Sequence, residues 1–589
     1  MFNPTNKPLI VQSDSTVLLD VHDPGAEEAR RSLSQFAELE KSPEHIHTYR
    51  ITNLSLWNAA AAGFSPEELL GSLQDFSRFP LPDSLGISMK ETMNRFGALQ
   101  LFPTSEDKVL YLGTRQKAIY AELEAHPRLK KLLIPYDPQS ARGIQTEPAV
   151  PPLGFLVQLL HRGTIKQQLI NLGYPVEDMA PLREGSPLDI TLQDRTPNGQ
   201  PFEIRDYQTQ SVQAFLGEKR PGTGFGTIVL PCGAGKTIVG LAAMAELGQE
   251  TLILTTNSSA VHQWIRELRE KTTLEEDQIG EYTGSKKQIR PVTVATYQIL
   301  VWRPDKESDF PHFDLLRSRN WGLVIYDEVH LLPAPMFRVT AELQALRRLG
   351  LTATLVREDG LEREVFSLVG PKRFDIPWKD LEGRGWIAQA FCVEYRCDLP
   401  EARKIPYATA DRRQKYRIAS ENPIKYDIAE YLIAKHRGES ILVIGQYLDQ
   451  LRTISKELGA PLLTGETPQT ERDVLYSKFR EGSIKVLVVS KVANFAIDLP
   501  DASVAIQISG SFGSRQEEAQ RLGRILRPKK QHSFFYTIIS RNTSEEEFSL
   551  NRQKFLTEQG YRYSIEIWDG DPRTDPAPHT RSSGEKTEA

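Results

Sequence analysis

From about residue 201 onward, short runs of consecutive apolar residues recur along the chain with helical stretches between them. The runs are GTIVL (226–230), TLILTT (251–256), VTVAT (292–296), GLVIYDE (322–328) and RLGLTAT (348–354). A second series follows: SILVIG (440–445), KVLVVS (485–490), VAIQIS (504–509) and FFYTII (534–539). Unbroken runs predict strands buried on both faces, and intervening helices predict parallel sheets covered on each side. Two series predict two α/β lobes, 201–388 and 389–569. Residues 1–130 mix both periods and read as an α+β accessory domain. There, Leu9 to Val21 reads as extended, and AEEARRSLSQFAELE and SPEELLGSLQDFS read as helices, the second opening with a Ser65–Glu68 capping box. Residues 131–200 are broken by proline and glycine and predict a small separate module and a linker, with one helix around Leu156 to Leu172. The polar, proline-bearing tail 570–589 reads as disordered.

At 589 residues the chain is long enough for about four domains. Hydrophobic residues at 39% and charged residues at 25% are those of an ordinary globular protein. The net charge of −5 excludes a chain-wide basic field, so any nucleic-acid contact must come from local basic grooves. Mean hydropathy is −0.40, and no apolar run approaches the ~18 residues of a membrane span. The opening MFNPTNKPLIVQSDST lacks a basic stretch followed by a long apolar one, so a cytoplasmic protein is expected. Three cysteines, Cys232, Cys392 and Cys397, are too few for a disulfide scaffold or a cysteine-based metal site.

The sharpest chemical signal is GTIVLPCGAGKTIVGLAAMAEL. A strand leads into Pro231, Cys232, Gly233, Ala234, Gly235, Lys236 and Thr237, and a helix follows. Glycines let backbone N–H groups turn inward around phosphate oxygens, and the helix amino terminus adds its dipole. Lys236 would reach the β- and γ-phosphates and the Thr237 hydroxyl would ligate Mg²⁺, making ATP and Mg²⁺ the expected cofactors. The regular pattern wants glycine at position 230, where this chain has Leu230. The second half of the site is GLVIYDEVH. Asp327 and Glu328 stand at a strand end, where ligands bind in open α/β sheets. Asp327 would hold the metal and Glu328 would act as general base on the attacking water. His330 either couples the γ-phosphate to another part of the protein or caps the strand.

LPCGAGKT, DEVH, TAT and QRLGRILR, in this order, resemble motifs I, II, III and VI of superfamily 2 helicases. YDEVHLLPAPMF, TATLVREDG, VGPKRF, SKVANFAIDLP and SRQEEAQRLGRILRPKK sharpen the resemblance to the XPB helicases, over roughly residues 190 to 545. The resemblance implies two tandem RecA-like lobes and an ATP-dependent DNA helicase of 3′-to-5′ polarity, acting in DNA repair. It assigns Arg205 and Gln208 to the adenine side, the Gln amide reading the base edge. It assigns Thr352 and Thr354 to the motif that links ATP to DNA, and Arg357, Glu358 and Asp359 to a motif associated with strand separation. Gln520, Arg524 and Arg527 match motif VI. An arginine supplied from the second lobe can neutralise charge on the transferring phosphoryl group.

The complete site would then exist only when the lobes close on ATP. Candidate DNA contacts are Thr256 and Asn257, Thr296 and Tyr297, Thr464 and Gly465, and Ser490 and Lys491, all after strands; each is also readable as an ordinary loop. Short polar side chains and exposed N–H groups suit phosphate contacts. Trp264 reads as core or as a base-stacking platform. Residues 394–422, polar and basic with tyrosines, read as a thumb-like DNA grip or as a solvated connector. The expected partner is single-stranded or forked DNA, with a nuclease or repair protein as a further one and no membrane. A duplex translocase without processive unwinding, an ATP-gated binding switch and an RNA substrate stay open as alternatives.

Overall fold

The computed structural model describes residues 7–41, 45–106, 108–136, 150–197, 199–217, 222–231, 233–305, 311–332, 336, 343, 346–353, 361–376, 378–384, 386, 389–490, 502–510, 532–550 and 563–570. Four sheets carry them. The first comprises β1 (Leu9–Val11), β2 (Thr16–Asp20), β3 (Glu38–Lys41) and β4 (Ile46–Arg50), antiparallel in the order β1-β2-β4-β3. Leu9 to Val21, read as one extended run, is thus a hairpin, turned at Ser15 with positive φ. The helix expected over AEEARRSLSQFAELE stops at Leu33, and its last residues form β3. The capping box at Ser65 and Glu68 is formed, with Pro66 in the first helical turn.

The second sheet comprises β5 (Leu99–Pro103), β6 (Val109–Thr114), β7 (Ile134–Tyr136), β8 (Leu153–Gln158) and β9 (Val176–Asp178), in the order β7-β8-β6-β5-β9. The division expected at residue 130 falls inside this sheet, because β7, β8 and β9 complete a core begun by β5 and β6. The helix expected over Leu156 to Leu172 splits into the end of β8 and a helix Arg162–Asn171.

The third sheet, the first lobe, is all parallel. It contains β10 (Phe225–Val229), β11 (Thr251–Thr255), β12 (Ile279–Tyr282), β13 (Val292–Thr296), β14 (Leu323–Asp327), β15 (Arg347–Thr352) and β16 (Lys372–Asp375). Their order is β12-β13-β11-β14-β15-β10-β16. The fourth sheet, the second lobe, is also all parallel: β17 (Ala390–Cys397), β18 (Ile441–Gly445), β19 (Leu462–Leu463), β20 (Val486–Ser490), β21 (Val504–Gln507), β22 (Ser533–Ser540) and β23 (Tyr563–Ile567). Its order is β19-β20-β18-β21-β22-β17-β23. Every apolar run singled out above lies on a strand of one of these two sheets.

The accessory parts are bolted to the first lobe through charge as well as apolar contact. Asp178, at the end of β9, is fully buried. It accepts from Arg162 Nε at 3.0 Å, Arg162 Nη2 at 2.8 Å and Lys166 Nζ at 3.0 Å. Beside it, Phe225 of β10 has three cations over its ring: Lys166 at 5.2 Å, Arg348 at 5.2 Å and Arg373 at 5.4 Å. Arg348, fully buried on β15, donates to the Leu368 carbonyl at 2.8 Å. Burial opposes ionisation of Asp178, yet Arg162 and Lys166 hold its carboxyl well below the ordinary carboxylate range. Burial also pulls the Lys166 ammonium down to about 8. Further along, Trp57, Ile170 and Phe366 form a small apolar cluster between the accessory domains and the lobe. Asn58 Oδ1 accepts from the Lys372 N–H at 2.9 Å, covering part of edge strand β16.

In the second lobe the segment expected to be a thumb begins inside β17 and continues as helices Glu401–Thr409 and Arg412–Ser420. The first of these buries no residue, and its Ile405 is 76% exposed. The second is anchored: Tyr416 donates to the Gly510 carbonyl at 2.6 Å. Behind it, buried Lys425 pairs with Glu545 at 2.8 Å. Cys392 and Cys397 are both buried, as expected of structural cysteines.

Candidate nucleotide-binding site

Three neighbouring strands deliver the site. β10 carries the phosphate loop, β15 lies beside it and β14 follows, with Val229 opposite Thr352 and Asp327 opposite Leu351. Strand spacing puts the first and third of these about 10 Å apart, with Thr352 between them. Leu230, where the motif usually has glycine, is fully buried, and its N–H donates to the Thr352 carbonyl at 2.9 Å. It is the first residue past β10 and still bonds to the end of β15, so the loop turns only after it. Gly233 and Gly235 both adopt φ +80°, a conformation that favours glycine. A Cβ on Gly235 would come within 2.5 Å of Gln208 Nε2. The helix Lys236–Leu247 starts directly after Gly235, which places the Thr237 hydroxyl in its first turn.

The acid pair is set by backbone geometry. Glu328 adopts φ +51° and ψ 54°, left-handed for a side-chain-bearing residue and costing on the order of 1–2 kcal/mol. The sharp turn lets adjacent carboxylates serve one cleft, as expected for a strand end. Glu328 Oε1 lies 3.2 Å from Lys236 Nζ. Burial and the Glu328 charge push the Asp327 carboxyl up to about 6, against the pull of Trp264 and Lys236. Buried His330 links two motifs: its Nδ1 lies 2.6 Å from Thr352 Oγ1 and 3.4 Å from Glu328 Oε2. It joins the acid to the strand between acid and loop.

Trp264 is core, with only 1% exposure, which removes the stacking-platform reading. Its spacing to Val261 and Leu268 already placed it on the buried helix face. Its Nε1–H donates to Asp327 Oδ2 at 2.9 Å, and Tyr297 Oη–H donates to the Asp327 carbonyl at 2.9 Å. No motif pattern signalled these two bonds.

Of the residues expected on the adenine side, Gln208 is buried; its Oε1 accepts from the Arg205 N–H at 3.0 Å and its Nε2 donates to the Ala234 carbonyl at 2.9 Å. The amide thus braces the phosphate loop. Arg205 stacks over Trp386 at 4.6 Å and donates to Tyr207 Oη at 3.1 Å. Among the expected DNA contacts, Thr256, Asn257, Thr464 and Gly465 reach the surface at least in part. Asn257 caps the helix Ser258–Lys271 by accepting from the Ala260 N–H at 2.9 Å. Thr296, Tyr297 and Ser490 correct the expectation: all three side chains are buried. Thr296 caps the next helical turn and Tyr297 reaches inward to Asp327, so only backbone there could face DNA. Cys232, Thr354, Arg357, Glu358, Asp359, Lys491, Gln520, Arg524 and Arg527 lie outside the described residues.

Hard oxygen donors from Thr237 and Asp327 suit Mg²⁺. Among the described residues two carboxylates face one lysine there, an arrangement that fits a divalent cation. Among the described residues, no helix is long and apolar enough to cross a membrane.

Two all-parallel lobes, the first with a phosphate loop facing an acid pair across a shared strand, define a P-loop ATPase of the two-lobed helicase class. Family comparison narrows the class. Residues 381–574 match the ERCC3/RAD25/XPB C-terminal helicase family, 201–357 match the type III restriction enzyme res subunit, and 9–135 match a helicase conserved C-terminal domain. The chain is 50% identical to a DNA 3′-5′ helicase XPB of Kineococcus radiotolerans, over 95% of this chain and 96% of the relative. It is 48% identical to the DNA 3′-5′ helicase XPB of Mycobacterium tuberculosis, over 97% and 100%. A Schizosaccharomyces pombe transcription and DNA repair factor IIH helicase/translocase subunit XPB is 31% identical, over 95% of this chain and 76% of its own. The chain belongs to the XPB helicase family.

Proposed function

We infer that this chain is an ATP-dependent DNA helicase of 3′-to-5′ polarity that works in DNA repair. The observation that carries the reading is the approach of Lys236, which with Thr237 opens the helix after β10, to Glu328, which follows Asp327 at the end of β14 two strands away, in a chain half identical to XPB helicases.

The Lys236–Glu328 contact at 3.2 Å points to how turnover is gated. A γ-phosphate that draws Lys236 away leaves the Glu328 carboxylate able to accept a proton from the attacking water. Thr237 and Asp327 would hold Mg²⁺, which supplies charge neutralisation on the β- and γ-phosphates when bound. Gln208 and Arg205 would flank the adenine, the Gln amide reading its edge while bracing Ala234. Arg524 and Arg527, with Gln520, would complete the site from the second lobe, so hydrolysis follows lobe closure. Thr352 and Thr354 would pass the state of the site to DNA, and Arg357, Glu358 and Asp359 would act at strand separation. Thr256, Asn257, Thr464, Gly465 and Lys491 would grip phosphates without reading sequence. A nuclease or another repair protein would use the opened strand.

ATP hydrolysis measured alone, with single-stranded DNA, with forked duplex and with RNA tests this, using Glu328→Gln as the blank. Strong stimulation by DNA that the variant lacks is expected, together with strand displacement on the fork. Stimulation without displacement would make the protein a duplex translocase. ATP binding with no stimulation by DNA would overturn the motor reading in favour of a binding switch.

A further inference from the structure

Trp264 sits at a junction of three elements. Its ring packs against Gly240 of the phosphate helix so closely that a Cβ at Gly240 would meet Trp264 Cη2 at 2.5 Å, and Ile325 of β14 would be 3.4 Å from that Cβ. Its indole N–H points the other way, to Asp327 Oδ2 at 2.9 Å. The helix that carries it, Ser258–Lys271, begins at Asn257, the partly exposed loop residue proposed above to grip DNA phosphate. Seven residues of helix separate Asn257 from Trp264, about 10 Å of rigid rod. A carboxylate has a free torsion about its last bond, and a metal needs one orientation of it. A fully buried donor fixes that torsion.

We propose that Trp264 is a positioning residue that orients the Asp327 carboxylate for the divalent cation, and that its helix makes this orientation respond to DNA at the Asn257 loop. The proposal rests on the ATPase site proposed above. Trp264 touches neither nucleotide nor DNA; it acts through Asp327. The sequence links follow: a helix cap at the DNA side, an apolar face that seats the indole, and one hydrogen bond at the acid. Partners that orient metal ligands in this way typically contribute 10–100-fold to metal affinity or activity.

The test uses the full chain carrying Trp264→Phe, which keeps a buried ring and removes the donor. The readout is Mg²⁺-dependent binding of a fluorescent non-hydrolysable ATP analogue, titrated with Mg²⁺ in the absence and presence of single-stranded DNA. ATP turnover and DNA affinity are measured alongside. In the wild type, DNA is expected to lower the half-saturating Mg²⁺ concentration. In Trp264→Phe, half-saturation should rise by about 10-fold or more, analogue binding at saturating Mg²⁺ should recover, and the DNA effect should vanish. DNA affinity without nucleotide should stay within about twofold of wild type.

A merely structural role predicts lower turnover at every Mg²⁺ concentration with an unchanged half-saturation, and that result overturns the proposal. A raised half-saturation that still responds fully to DNA overturns the lever, leaving only the positioning. A wild type whose half-saturation ignores DNA also overturns the lever. If Trp264→Phe does not fold, Trp264→benzothienylalanine, a sulfur isostere of the same shape without the N–H, gives the same two readings. Wild-type chain that binds analogue with Mg²⁺ yet shows no DNA-stimulated turnover would count against the motor reading alone, because the Mg²⁺ titration is read without turnover.

Discussion

Replacing Asp178 by Asn removes the carboxylate that pairs with both Arg162 and Lys166. Both cations are nearly fully buried, and Arg348 and Arg373 crowd the same Phe225 ring. Asn keeps the shape, so the loss is electrostatic: like charges in an apolar seam with their counter-charge gone. Breaking a buried pair from one side costs about 3–5 kcal/mol, because the surviving charges stay buried. For a lobe of this size about 2–4 °C accompanies each kcal/mol, so the first transition in scanning calorimetry should fall by about 6–20 °C. Glu67→Gln is the matched control. Its partner Lys90 Nζ lies 3.0 Å away, and Glu67 is 68% exposed. An exposed pair is worth about 0–1 kcal/mol, so that variant should unfold close to wild type. An Asp178→Asn transition within about 1 °C of wild type would refute the view that this seam is held by charge.

Thr352→Val preserves volume and deletes the hydroxyl that meets His330 Nδ1; DNA stimulation of ATP turnover should drop by about 5-fold or more while basal turnover persists. Arg524→Ala should cut turnover with nucleotide binding nearly intact, and loss of binding would make that arginine structural. A pH prediction follows from Lys166, held down at about 8 by burial from its ordinary 10.5. Between these values the unfolded chain binds a proton that the folded chain does not, so stability rises as pH increases from about 8 toward 10.5. Urea unfolding at stepped pH should show that rise in wild type and a flatter profile in Lys166→Met.

Most inner strands of both lobes were legible because burial on two faces leaves an unbroken apolar run, as in TLILT and ILVIG; β17, whose AFCVEYRC is broken by Glu394 and Arg396, was not. The edge strands were not. KRFD of β16 and YSIEI of β23 pair on one side only, and alternation over four or five residues carries little signal. The β5–β9 sheet was hidden for another reason: helices interrupt it between β6 and β7 and between β8 and β9, the proline-bearing stretch 137–152 separates β7 from β8 in sequence, and β9 joins β5 only in space. At the site, Lys236, Asp327 and Glu328 were legible because phosphate chemistry constrains residue types in sequence. The bonds from Trp264 and Tyr297 to Asp327 were not, since each crosses from one βα unit to the next. Tyr297 illustrates the cost of reading loops by motif alone: an aromatic after a strand looked outward in sequence and points inward in the fold.

The seam around Phe225 bears on how this protein can be recombined. β15 carries Arg348 into the seam and, four residues on, ends at Thr352 beside the acid pair. A module transplanted from a relative would bring its own counterparts of Arg162, Lys166 and Asp178 against a resident Phe225 and Arg348. These side chains must therefore be inherited as a set, and the smallest exchangeable piece is the β5–β9 module together with the whole first lobe. Trimming the chain to its two parallel sheets would not yield a minimal motor but one with Arg348 bared to water, on the same strand that places Thr352.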